Sequence, residues 1–159
     1  MQIRIRETGA VMYESEFRTL FPNTSLPQQL SESLINDLGA DVVFEGPQAT
    51  GGTVYQYSQY SGVEQVDGKW YTKYTLGPVF TDGETTAVEQ ETAYKAQKDA
   101  EQAKSVREQR NTKLSESDWT QVADAPVDKS VWATYRQSLR DISSQSGFPW
   151  TIDWPTQPE

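Results

Sequence analysis

Between Glu84 and Lys113 the chain contains no glycine and no proline, and almost no bulky side chain. Ala, Glu, Gln, Lys and Arg fill it, and these residues lose little conformational freedom in a helix. The spacing predicts one long helix of about 45 Å. The segment holds six basic and six acidic side chains, and Glu91 precedes Lys95 by one helical turn. Ala93, Ala96, Ala100 and Ala103 recur at 3,4,3 spacing, continued by Arg107, Arg110 and Leu114. That is a coiled-coil period with small residues at the seam. Alanine lets helices approach closely but buries little area, so the seam alone would associate weakly.

The front of the chain reads as short strands. Gln2 to Arg6 alternates apolar and polar residues, and Val42-Val43-Phe44 is a short apolar run closed by Gly46-Pro47. A strand is expected over residues 53–60. Val63–Val66 and Lys69–Thr75 flank Asp67-Gly68, a pair suited to a two-residue hairpin turn because both positions need positive φ. Helical turns are expected at Ser15–Leu20 and a helix at Pro27–Leu38, with Gly39 as its left-handed terminator. Tyr55, Tyr57, Tyr60, Trp70, Tyr71 and Tyr74 crowd this region. Strand alternation puts Trp70 and Tyr71 on opposite faces, and a domain this small has a single core. Tyr and Trp are favoured at protein interfaces, so part of this cluster is a candidate for gripping another polypeptide.

The last forty residues are the most distinctive. Four of the five tryptophans lie from Asp118 to Pro155, in the order Asp118-Trp119-Thr120, Pro126, Trp132-Ala133-Thr134-Tyr135-Arg136-Gln137, Leu139-Arg140-Asp141-Ile142, Gly147-Phe148-Pro149-Trp150 and Trp154-Pro155. Asp128 is a good N-cap for a helix reaching about Ser143. Val131, Trp132, Tyr135, Leu139 and Ile142 share one face of it, with Arg136 and Arg140 expected off that face. A unit of some 45 residues buries too little surface to stand alone. It must pack on the long helix, on another copy or on a partner.

That order of aromatic and proline positions resembles the tail assembly chaperone family of tailed bacteriophages, over about the last quarter of the chain. The resemblance implies a protein that helps a phage tail fibre fold and trimerise without ATP, binding the fibre's distal part. It implies a soluble protein in the cytoplasm of an infected bacterium. The alternative is a structural protein of the virion, an adapter at the fibre tip or baseplate that stays on the tail.

Composition narrows the chemistry. The 159 residues carry 14 basic and 23 acidic side chains, a net charge of −9, and no region is basic. A nucleic-acid partner is therefore not expected. Histidine and cysteine are absent, which removes disulfides, the usual zinc ligands and the commonest general base. Gly68-Lys69 is followed by Trp70 where a phosphate-binding loop needs Ser or Thr. No carboxylate pair is placed for glycoside hydrolysis, and Asn23-Thr24-Ser25 matches a glycosylation acceptor with no secretion signal. No run is long enough to span a membrane. No catalytic, cofactor-binding or metal-binding residue is expected.

The expectation is an α+β chain: residues 1–82 a β-rich client-binding domain, sandwich-like or an antiparallel sheet; residues 83–114 the long helix; residues 115–159 a Trp-rich helical unit. The client-binding candidates are the six aromatics above with Trp150 and Trp154, the latter two on a proline-flanked tail. The self-association candidates are Ala93, Ala96, Ala100, Ala103 and Leu114, with Trp132 and Tyr135. The expected partner is a tail fibre protein in a 3:3 complex.

Overall fold

The computed structural model describes residues 1–158 and divides into two compact units, Met1–Val79 and Phe80–Glu159. The architecture is α+β, as expected.

In the first unit, strands β1 (Gln2–Ile5), β2 (Val11–Tyr13), β3 (Ala40–Phe44), β4 (Tyr57–Val66) and β5 (Lys69–Gly77) form one sheet in the order β2-β1-β3-β5-β4. Three pairings are antiparallel and the β3–β5 pairing is parallel, so the sheet is mixed. Ile3 sits opposite Met12 and Val42, and Ile5 opposite Ala40, which gathers the apolar side chains on one face. Helices α1 (Glu14–Thr19) and α2 (Glu32–Asp37) supply Phe17 and Ile35 to the core that this face builds, with Ile3, Leu30 and Ala40. Helix α2 is shorter than the expected Pro27–Leu38, because the Ser31 hydroxyl accepts the amide of Leu34 at 3.2 Å and starts the helix there. Gly39 ends it at φ +77°. Asp67 and Gly68 turn the β4–β5 hairpin at φ +49° and +80°.

The two strands expected at 53–60 and 63–66 are one. Strand β4 runs continuously, with a bulge between Tyr60 and Val63. Residues 53–56 form a turn before it, in which the Gln56 amide donates to the Thr53 carbonyl.

In the second unit, α3 (Ala87–Glu116) is the long helix. Thr86 and Glu89 form a reciprocal capping box at its start: the Thr86 hydroxyl accepts the Glu89 amide, and the Glu89 carboxylate accepts the Thr86 amide. A single 3₁₀ turn at Asp118–Gln121 leads to α4 (Lys129–Arg140), capped by the Asp128 carboxylate accepting the amides of Ser130 and Val131. A second 3₁₀ turn, Asp141–Ser144, continues it. The core is built from Val106 of α3 with Trp132, Tyr135, Leu139 and Ile142, and residues 148–154 close over it.

Candidate functional site

The aromatic cluster of the first unit is divided by the pleat. Tyr74 lies opposite Tyr60, and Trp70 opposite Val43, so Tyr60, Trp70 and Tyr74 share the face turned away from α1 and α2. Tyr71 pairs with Phe44 and Tyr57 with Gly77, on the other face. Tyr55 precedes the strand. The cluster is thus divided between the two faces, as the alternation of Trp70 and Tyr71 implies, with Tyr60, Trp70 and Tyr74 together on one of them.

That trio is held by specific contacts. The Tyr60 and Tyr74 rings meet nearly edge-on with centroids 6.2 Å apart. The Tyr74 hydroxyl donates to Glu45 Oε1 at 2.6 Å. The Arg4 guanidinium stacks 3.9 Å from the Trp70 ring centre, close enough for a cation–π attraction, and its charge is met by Asp41 at 3.6 Å. Beside them Gln2, Tyr13, Val43, Glu45, Thr72 and Tyr74 line an open hollow. The Gln2 amide oxygen is buried without a hydrogen-bond partner. The Gly46 amide donates to the Thr72 hydroxyl at 2.8 Å, and a Cβ on Gly46 would collide with the Thr72 carbonyl oxygen. Only glycine permits that approach.

In the second unit the tryptophans knit the tail to α3, from Asp99 to its C-terminal end. Trp132 is buried between Trp119 (6.0 Å between centroids) and Tyr135 (5.7 Å, perpendicular). The Tyr135 phenol is pushed up by burial, with the Glu116 carboxylate adding to the effect. Half-buried Trp150 donates its indole N–H to Asp99 Oδ1 at 2.6 Å. Half-buried Trp154 packs on the core and lies under the Lys113 ammonium, 5.7 Å from the ring centre. Arg107 stacks on Phe148 at 5.3 Å. The alanine seam is split: Ala103 is buried and Leu114 joins the core's margin, whereas Ala93, Ala96 and Ala100 stay exposed.

Two residues of α4 depart from the sequence expectation: Val131, expected on the apolar face, is 48% exposed, and Arg136 moves the other way. Arg136 is not off the apolar face but within it, 8% exposed. It sits one turn after Trp132 and three residues before Leu139, which places it over the end of α3. Its Nη1 donates to the Leu114 carbonyl (2.6 Å) and the Ser117 hydroxyl (2.7 Å), and its Nη2 to Asp118 (2.7 Å). The Leu114 carbonyl also accepts the Ser117 amide and hydroxyl, and a cation is well placed at the negative end of a helix. The available signal was spacing: positions 132, 135, 136 and 139 form one helical stripe.

Among the described residues, no helix is long and apolar enough to cross a membrane, and no group of three or more His, Cys, Asp or Glu could hold a metal ion.

The residues that make this Trp-rich core are the ones that comparison picks out. Residues 103–159 match the family model of the phage tail assembly chaperone protein. The resemblance first read from the order of tryptophans and prolines therefore holds over that segment, which is about a third of the chain. No curated protein and no solved structure matches the chain.

Proposed function

We propose that this chain is an assembly chaperone for a phage tail fibre, binding the fibre's distal part and promoting its folding and trimerisation without ATP, in the cytoplasm of the infected bacterium. The observation that carries the reading is the family match over residues 103–159, which coincides with the compact Trp-rich core of the second unit. Fibre tips expose unpaired strand edges and apolar faces until three chains meet, and such surfaces aggregate. In this reading the first unit grips the client with Tyr60, Trp70 and Tyr74, with Tyr55, Tyr57 and Tyr71 contributing from the rim and the opposite face. Trp150 and Trp154 offer a second contact. The exposed part of the alanine seam, with the C-terminal unit, brings copies together. A three-fold chaperone would raise the effective concentration of the bound client chains, which favours a 3:3 complex.

Co-expression with the tail fibre protein tests this. Soluble trimeric fibre is expected with the chaperone and aggregated or monomeric fibre without it. Equal yields of soluble trimer in both cases would overturn the reading.

A further inference from the structure

The sheet of the first unit ends on unequal edges. One edge is β2, three residues long; the other is β4, ten residues long. About half of the backbone N–H and C=O groups of an edge strand point away from the sheet and are open to pairing. Proteins that stay monomeric blunt such edges by shortness, by lysine or by proline. Strand β4 (Tyr-Ser-Gln-Tyr-Ser-Gly-Val-Glu-Gln-Val) has no lysine, arginine or proline. Its single charge, Glu64, is engaged across the sheet by Lys73 at 3.1 Å. The bulge between Tyr60 and Val63 is the one blunting feature it carries. Tyr57 and Tyr60 are 55% and 49% exposed and stand on opposite faces. A strand laid alongside would therefore meet an aromatic ring with each set of its alternating side chains.

We infer that the outer edge of β4 receives an extended strand of the client by backbone pairing. The inference rests on the chaperone reading and specifies how the client is held. The charge pattern selects the occupant. Residues 1–83 hold five basic and ten acidic side chains, and β4 with its turn offers Glu64 and Asp67 and no cation before Lys69. A second copy would bring the same acidic excess against itself. The strand that fits is neutral or basic, with apolar side chains at alternate positions. Backbone pairing supplies affinity that depends little on the client's sequence, and Tyr57 and Tyr60 add selectivity for apolar side chains.

The test is amide hydrogen exchange on the free chaperone and on its complex with the tail fibre protein, together with the variant Ser61→Lys/Gln65→Lys. Amides of β4 are expected to slow by about tenfold or more in the complex, with those of β2 unchanged. The variant is expected to bind about tenfold more weakly, with only a small fall in thermal midpoint from loss of the Ser61–Lys73 and Gln65–Gly68 hydrogen bonds, both on exposed side chains. A complex that forms with β4 exchange unaltered overturns the edge inference and leaves the chaperone reading standing. Protection of β4 in the chaperone alone, lost on dilution, makes a second copy the occupant and overturns it as well. Failure to form any complex overturns both.

Discussion

Arg136 shows what a single side chain does in the second unit. Truncating it would leave the Leu114 carbonyl and the Ser117 hydroxyl without their cation, and would remove a side chain that is 8% exposed. Arg136→Ala is expected to destabilise the unit by about 2–4 kcal/mol in urea denaturation. Asp118→Ala, at the other end of the same ion pair, should cost less than about 1 kcal/mol, because the Asp118 side chain is 67% exposed and water screens it. Equal losses would mean that the ion pair, and not the helix-end carbonyl, holds Arg136 in place. This residue also marks where sequence reading stops. The apolar stripe of α4 is legible because Trp132, Tyr135, Leu139 and Ile142 are all large and apolar. An arginine on the same stripe reads as solvated, since its partners lie 18 and more residues earlier and only the folded chain brings them near. Trp150 is a similar case: its indole N–H meets Asp99, 51 residues away.

At the scale of elements, local chemistry was readable and pairing was not. Gly39, the Asp67-Gly68 turn and the Asp128 cap each rest on one or two residues and stand where expected. The continuity of β4 and the parallel β3–β5 pairing depend on partners far along the chain, so residues 53–66 read as two strands. The two capping carboxylates carry a pH prediction. Hydrogen bonds from the Thr86 amide and hydroxyl hold the Glu89 carboxyl below its ordinary value. The Ser130 hydroxyl and the amides of Val131 and Ser130 do the same for Asp128. A carboxylate whose pKa is lower in the folded chain contributes stability that is fully present above its unfolded pKa, about 4, and is lost as pH falls through the folded value. Helix content measured at 222 nm should therefore hold down to about pH 4 and decline below it. Asp128→Asn keeps a neutral cap and should flatten the part of that decline due to α4; an unchanged acid profile would show that this cap does not titrate with unfolding. Within α3 the exposure changes along its length. Ala103 and Val106 are buried, whereas Ala93, Ala96 and Ala100 are exposed. Amides from Ala103 to Ser117 should exchange more slowly than those from Ala87 to Ala100 in the isolated protein, and uniform protection would require a partner along the first half of the helix.

At the scale of the whole molecule, the expected division at residues 82 and 114 compares with two compact units that meet at Val79 and Phe80. The long helix belongs with the Trp-rich tail because Val106 and Leu114 contribute to the same core as Trp132 and Leu139. The first half of the helix is tied down only in places, by Phe80 on Tyr94 and by the Trp150 indole on Asp99, and its alanines stay exposed. The exposed alanines bury too little area to hold copies together alone. In the proposed three-fold complex, association through them is coupled to a trimeric client and should be weak in its absence. Light scattering on the purified complex separates the possibilities, since complexes with one and with three chaperone copies differ by two chains of 18.0 kDa. Three copies are expected. Ala96→Glu with Ala100→Glu should reduce the number of copies bound, because carboxylates one turn apart on facing helices repel across the seam. The thermal midpoint should not change, since both positions are exposed in the single chain. A full complement of three copies in this variant would place the contacts elsewhere, and a single copy on the unaltered fibre trimer would end the three-fold proposal.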